Sequence, residues 1–255
     1  LYLVVNASRK AIDFAHLKAR LPDTVTVEEL PHWALLALQG PRAEAALETV
    51  VPGVAALEFM QGAPFEFGGS GIYVTRSGYT GEDGYEITVP NEAAQSLWRA
   101  LLAHPDVLPI GLGARDSLRL EAGLSLYGHE LDDTVSPVEA GLLWSIQKHR
   151  RAEGGFPGAD RIQREIADGA SRKIAGIKPE GRAPARDGTV IMSDGKEVGV
   201  ITSGGFGPSA GGPVALGFVP PELAKAGQPL DLMVRGKALP AEVIKLPFVA
   251  KSFKK

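Results

Sequence analysis

The last third of the chain is the most restrictive part of the sequence. From residue 173 onward it passes through short β-prone segments, Ile174 to Ile177, Thr189 to Met192, Val198 to Thr202, Val214 to Val219, Leu230 to Val234 and Ala241 to Lys245, parted by Gly/Pro turns. Short strands repeated at that spacing predict a small β-barrel or sandwich, and a barrel is the expectation adopted. Composition shifts after about Ile166, which sets the expected domains at 1–166 and 167–255.

The first region mixes both kinds of element. Leu1 to Val5 reads as a buried strand, and Asn6-Ala7-Ser8 offers an N-cap to an amphipathic helix carrying Ile12, Phe14, Ala15 and Leu17 before Pro22 stops it. Val25 and Val27 alternate with polar neighbours between Thr24 and Leu30. Trp33 to Leu38 reads as a strand, and Pro41 suits the first turn of a helix reaching Val50. Phe65 to Phe67 and Ile72 to Thr75 pair around Gly68-Gly69-Ser70-Gly71, and Tyr85 to Val89 is a further strand. A helix after Asn91 carries Ala94, Leu97, Trp98 and Leu101, and another spans Ala114 to Leu120, stopped at Gly123. Strand-helix-strand groups with short antiparallel connections predict an α+β region of split βαβ, ferredoxin-like character rather than a doubly wound sheet.

Bulk properties narrow the function classes. The 255 residues are 44% hydrophobic and 22% charged with a formal net charge of −3, which describes a globular chain and gives no electrostatic footprint for nucleic acid. Cysteine is absent, so disulfides, thiolate metal sites and cysteine nucleophiles are excluded within these residues. No apolar run approaches the span of a bilayer, and LYLVV lacks the basic lead of a signal peptide. A cytoplasmic or organelle-matrix enzyme is the expectation, with polypeptide upstream of Leu1 expected to be missing.

The stretch SGYTGEDGYEITVP, Ser77 to Pro90, poses the sharpest chemical question. Gly81 and Gly84 suit positive φ, and Glu82-Asp83 is ordinary turn chemistry. Glu86 is not needed for that turn. If Tyr85, Ile87 and Val89 share one strand face, Glu86 and Thr88 share the other, which is either a solvated face or one that presents a carboxylate to a ligand edge with two N–H donors, as in a pterin.

In ARDSLRLEAG, Arg115 and Arg119 lie four apart on one helical face, a repulsive spacing worth a few tenths of a kcal/mol. Pairing of Asp116 with Arg119 leaves Arg115 free for an anionic group, a ligand or solvent. Tyr79, Tyr127 and Trp144 are either core residues or ring-stacking groups. The histidines, His16, His32, His104, His129 and His149, have no ligand spacing, so no metal is expected. GLGARD fails the dinucleotide fingerprint and GGFGPSAGG lacks the P-loop lysine, so both read as turns, and the closing KSFKK reads as a solvated tail.

Taken together, SGYTGEDGYEI, GLGARDSLRLEAGLSLYGHELDD and SPVEAGLLWSI, with VVNAS, ALQGP, FPGAD, VITSGGFGPS and PFV in the same order, make the chain resemble the aminomethyltransferase, or T-protein, family of the glycine cleavage system over its whole length. The resemblance implies transfer of an aminomethyl carbon from the lipoyl arm of the partner H protein to tetrahydrofolate, with release of ammonia. It implies that Glu86 grips the pterin edge, that Arg115 lies beside the folate, that Tyr79, Tyr127 and Trp144 line the pocket, and that Asn6 lies near it.

The resemblance also implies two departures. Family members carry a further N-terminal region whose Asp-Asp pair holds the catalytic aspartate, and neither Asp13 nor Asp23 matches it, so no catalytic residue is assigned within this sequence. Phe253 stands where some relatives have a tyrosine. Two other readings stay open: a related folate-dependent demethylase or the folate domain of a sarcosine or dimethylglycine dehydrogenase, and a noncatalytic folate-binding module. The implied compartment is the bacterial cytoplasm, or the mitochondrial matrix in a eukaryote, with the cytoplasm preferred. No membrane or nucleic-acid partner is expected.

Overall fold

The computed structural model describes residues 1–254. It divides into two compact units, the first made of residues 1–38, 42–77 and 85–107, the second of residues 39–41, 78–84 and 108 onward.

The first unit is built on a four-stranded sheet formed by β1 (Trp33–Gln39), β2 (Gly62–Phe67), β3 (Ser70–Thr75) and β4 (Gly84–Pro90) in the order β1-β4-β3-β2. Strands β2 and β3 are antiparallel, from Gly62 opposite Thr75 to Phe67 opposite Ser70. The two-residue loop between them needs positive φ at both positions, which Gly68 (59°) and Gly69 (80°) supply. Helices α1 (Lys10–Arg20), α2 (Ala43–Glu48) and α3 (Asn91–Leu102) complete the unit. In α3 the helical repeat buries Ala93, Leu97 and Leu101 and leaves Trp98 exposed. Leu47, Val54, Val74, Tyr85, Ile87, Val89 and Leu97 form its fully buried centre.

Three local expectations are corrected here. Residues 1–5 form no strand and are exposed, and residues 24–30 are also irregular. β-prone side chains do not make a strand unless a neighbouring strand takes up the backbone hydrogen bonds. Helix α1 forms but buries none of its side chains, and its N-cap position, Arg9, makes no side-chain capping bond to the helix. Asn6 instead closes the turn before the helix, its Oδ1 accepting the Ser8 N–H at 3.1 Å and the Ser8 hydroxyl at 2.8 Å.

The second unit contains α4 (Leu112–Glu121), α5 (Lys148–Glu153), α6 (Ala159–Asp168) and a closed six-stranded barrel. Its strands are β5 (Lys173–Pro179), β6 (Val190–Ser193), β7 (Lys196–Gly207), β8 (Gly212–Val219), β9 (Pro229–Val234) and β10 (Lys237–Ile244). The antiparallel order β10-β5-β8-β7-β6-β9 closes on the β9–β10 hairpin, so no strand edge is left open. Ile177, Ile191, Ile201, Val219, Leu232 and Val243 fill the interior. Each of the six sequence segments overlaps one of these strands, with only Thr189 and Lys245 falling just outside, and the α+β region followed by a β-barrel is the fold observed.

The glycine-rich segment differs from its reading as a turn. Gly204 to Gly207 continue β7 and pair with β8, leaving residues 208–211 as the loop. Gly204 is required by proximity: a Cβ there would lie 1.8 Å from the Ala185 carbonyl oxygen. Helix α4 ends at Gly123 (φ 64°) in a Schellman arrangement, with Gly123 N–H on the Leu120 carbonyl and Leu124 N–H on the Arg119 carbonyl, each at 2.9 Å. No helix among the described residues is long and apolar enough to cross a membrane.

Candidate functional site

Glu86 sits on β4 opposite Thr75 of β3. Its flanking residues Tyr85 and Ile87 are fully buried, and Thr88 on its own face is only 4% exposed. That face is therefore not the solvated side of an amphipathic strand. The Tyr2 hydroxyl reaches Thr88 Oγ1 at 2.9 Å. Glu86 itself is half-buried, and its Oε2 accepts the Ser77 hydroxyl at 2.8 Å. Among the described residues no protein donor meets its other oxygen. The result is a carboxylate held in orientation through one oxygen while the second keeps its acceptor capacity for a ligand.

In the second unit residues 78–84 are shaped by close packing. Gly78 approaches Gln39 so nearly that a Cβ would lie 1.8 Å from Oε1, and Thr80 Oγ1 donates to that same oxygen at 2.9 Å. Gly81 takes φ 78° as the turn requires, whereas Gly84 begins β4 in extended backbone, against the expectation of a positive φ there.

Tyr79 donates its hydroxyl to the Ser125 carbonyl oxygen. Burial, the largest influence, pushes the phenol up to about 12; Glu130 and Asp116 act in the same direction, while Arg119 and Arg115 oppose it. Tyr79 therefore remains a protonated donor near neutral pH, and its ring is the surface it offers. The Arg115 guanidinium stands over that ring at 5.2 Å from the centroid. Arg115 is free to do so because Arg119 Nε is bonded to Asp116 Oδ1 at 2.8 Å, the i,i+3 pairing expected from the helix spacing.

Tyr127 is half-buried and its hydroxyl donates to Asp133 Oδ1 at 2.8 Å. Trp144, on a 3₁₀ turn at Leu143–Ser145, is 76% exposed, which removes the core alternative for it. Tyr79 and Arg115 are brought into contact; Glu86 and Asn6 belong to the first unit, and Tyr79, Arg115, Tyr127 and Trp144 to the second. Among the described residues no group of three or more His, Asp or Glu is arranged to hold a metal ion.

Two features escaped the sequence reading. One is Ser77 as the partner of Glu86. The other is a buried network around Arg119, whose Nη1 donates to Glu130 Oε2 at 2.8 Å and Nη2 to Ser203 Oγ at 2.7 Å. No spacing rule links residues 119, 130 and 203.

A four-stranded sheet unit bearing an oriented, half-buried carboxylate, and a unit that ends in a closed six-stranded barrel, define an α+β protein with a C-terminal β-barrel. Residues 1–150 match the GCVT N-terminal domain, and residues 172–250 match the glycine cleavage T-protein C-terminal barrel domain. The probable mitochondrial aminomethyltransferase of Schizosaccharomyces pombe is 44% identical over 252 residues, covering 97% of this chain and 65% of that protein. An aminomethyltransferase of Nostoc sp. is 41% identical over 259 residues, covering 99% and 67%. The crystal structure of glycine cleavage system aminomethyltransferase T from Bartonella henselae superposes with a TM-score of 0.89 at 42% identity, over 98% of this chain and 69% of that one. The chain belongs to the glycine cleavage T-protein family. It spans about two thirds of the length of these relatives, 65% of the S. pombe protein.

Proposed function

We propose that this chain acts as an aminomethyltransferase of glycine cleavage. The carbon of an aminomethyl group carried on the lipoyl thiol of the H protein passes to tetrahydrofolate. Its C–N and C–S bonds are replaced by bonds to the two folate nitrogens, ammonia leaves, and the lipoyl thiol is regenerated. The observation that carries this reading is Glu86, whose carboxylate is fixed by Ser77 at 2.8 Å and retains an oxygen for a donor edge.

In this reading the 2-amino group and ring N–H of the pterin donate to the Glu86 carboxylate, a charge-assisted pair that sets the ring's orientation. Orientation of the attacking nitrogen then contributes much of the rate. The Tyr79–Arg115 stack supplies a flat cationic surface for the folate, and Tyr127 and Trp144 supply further aromatic faces. Asn6 stands with Glu86 in the first unit as a secondary contact. The reading assigns binding and positioning residues and no catalytic carboxylate. The 167–255 segment is taken as the barrel domain, and the compartment as the bacterial cytoplasm or a mitochondrial matrix.

Calorimetry with tetrahydrofolate on the wild type and Glu86→Ala tests the site: binding by the wild type and its loss in the variant are expected, and equal binding overturns the assignment. Turnover of aminomethylated H protein tests the reaction. Turnover with dimethylglycine or dimethylsulfoniopropionate instead would move the chain to a demethylase or dehydrogenase-type donor, and folate binding without turnover of any donor would make it a binding module.

A further inference from the structure

We propose that the buried Arg119–Glu130 pair is a positioning element for folate binding, holding the Tyr79 ring and the Tyr127 loop in place beside Arg115. The proposal rests on the folate reading of Tyr79, Arg115 and Tyr127 given above.

The pair is 1% and 0% exposed, and its members are bonded at 2.8 Å. A buried ion pair is a poor stabiliser, because desolvation offsets the attraction and apolar residues of equal volume do as well. What apolar residues cannot do is hold polar backbone at defined points. Three successive residues are held in this way: Arg119 Nη1 donates to the Leu124 carbonyl at 3.2 Å, Tyr79 donates to the Ser125 carbonyl, and the Leu126 N–H donates to Glu130 Oε2 at 3.0 Å. Tyr127 follows directly.

The pair is itself anchored to the barrel. Thr202 Oγ1 donates to Glu130 Oε1 at 2.7 Å, and Ser203 Oγ accepts from Arg119 Nη2 at 2.7 Å. Thr202 is the extra residue where the β7–β8 register shifts between Ile201 and Ser203, so this bulge turns its hydroxyl toward Glu130. Arg115 lies one helical turn before Arg119 on α4, so the residue that anchors the loop also fixes the helix from which Arg115 meets Tyr79. Arg119 donates to Asp116, Leu124, Glu130 and Ser203.

The test compares Thr202→Val, Ser203→Ala and Glu130→Gln with the wild type, by thermal unfolding and by calorimetric titration with tetrahydrofolate. Thr202→Val and Ser203→Ala each remove one hydroxyl and leave the ion pair intact, so they carry the test even where Glu130→Gln fails to fold. Each is expected to weaken tetrahydrofolate about tenfold in the folded protein. Glu130→Gln also removes a charge that opposes Arg119, so the Tyr79 phenolate, followed at 295 nm with Tyr79→Phe as blank, is expected to form at lower pH.

Unchanged affinity in the folded variants, with only the unfolding temperature altered, overturns the positioning role. If Glu86→Ala and Arg115→Ala nevertheless lose binding, the folate reading survives that result. A wild-type chain that does not bind tetrahydrofolate, or Glu86→Ala and Arg115→Ala variants that bind as wild type does, overturns the folate reading and this proposal with it.

Discussion

Ser77 donates its hydroxyl to Glu86 Oε2 at 2.8 Å, and the same hydroxyl lies 2.8 Å from Thr75 Oγ1, so the carboxylate of β4 is oriented from the end of β3. The strand pairing that sets Glu86 opposite Thr75 brings the two groups together. This geometry separates the residue that meets a ligand from the one that aims it, and the two should respond differently to substitution.

Glu86→Gln keeps the shape of the side chain but replaces one acceptor by a donor, which faces the pterin donors with the wrong partner. Tetrahydrofolate affinity is expected to fall by about two orders of magnitude, on the order of 3 kcal/mol. Ser77→Ala should weaken it by only about 1 kcal/mol, since the carboxylate remains but loses its orientation. Calorimetry on both variants checks the order; a larger loss from Ser77→Ala would contradict it.

Tyr79→Phe retains the ring beneath Arg115 and removes the donor to the Ser125 carbonyl. The stability cost is expected to be about 1–2 kcal/mol, that of an unpaired, partly buried acceptor. Because Tyr79 ionises only at about 12, the phenolate absorbance that Tyr79 contributes near that pH in the wild type should be missing from the variant.

Glu139 gives a pH dependence with a defined sign. Burial alone would push its carboxyl up, but hydrogen bonds from Arg172 at 2.9 Å and from the Ser136 N–H at 2.8 Å, with the Arg172 and Arg161 charges, hold it below its ordinary 4.5. A lowered carboxyl contributes stability that is fully present above the unfolded value and is lost as pH falls through the folded one. Glu139→Gln is therefore expected to be less stable near neutrality and to show a flatter loss of unfolding temperature below about pH 4.5.

Gly204→Ala forces a Cβ to within 1.8 Å of the Ala185 carbonyl oxygen, and backbone rather than a flexible side chain must move. A loss of about 2–3 kcal/mol is expected in denaturant unfolding. Gly205, where a Cβ would have its nearest contact at 3.7 Å from Leu120 Cδ2, is the matched control and should tolerate alanine with a smaller loss.

The barrel strands were legible where a short β-prone run is bounded by turn residues, and closure pairs them all. The same local signal was misleading at residues 1–5 and 24–30, where no neighbouring strand completes the pattern. The glycines of β7 misled in the other direction. Gly204 resembles turn chemistry along the chain, yet it is glycine because Ala185, distant in sequence, presses against it.

By itself the sequence determined the α+β region followed by a barrel, most of the element types, and the candidate groups Glu86, Arg115 and Tyr79, because periodicity, turn residues and ordered motifs are written along the chain. Only the tertiary structure decided which of these groups is aimed and by what. Ser77 on Glu86, Tyr79 under Arg115, and Glu130 with Thr202 and Ser203 around Arg119 are contacts between residues separated by 9 to 84 positions. Hydrogen-bond direction and desolvation depend on distances in space, and those exist only once strands have paired and the barrel has closed.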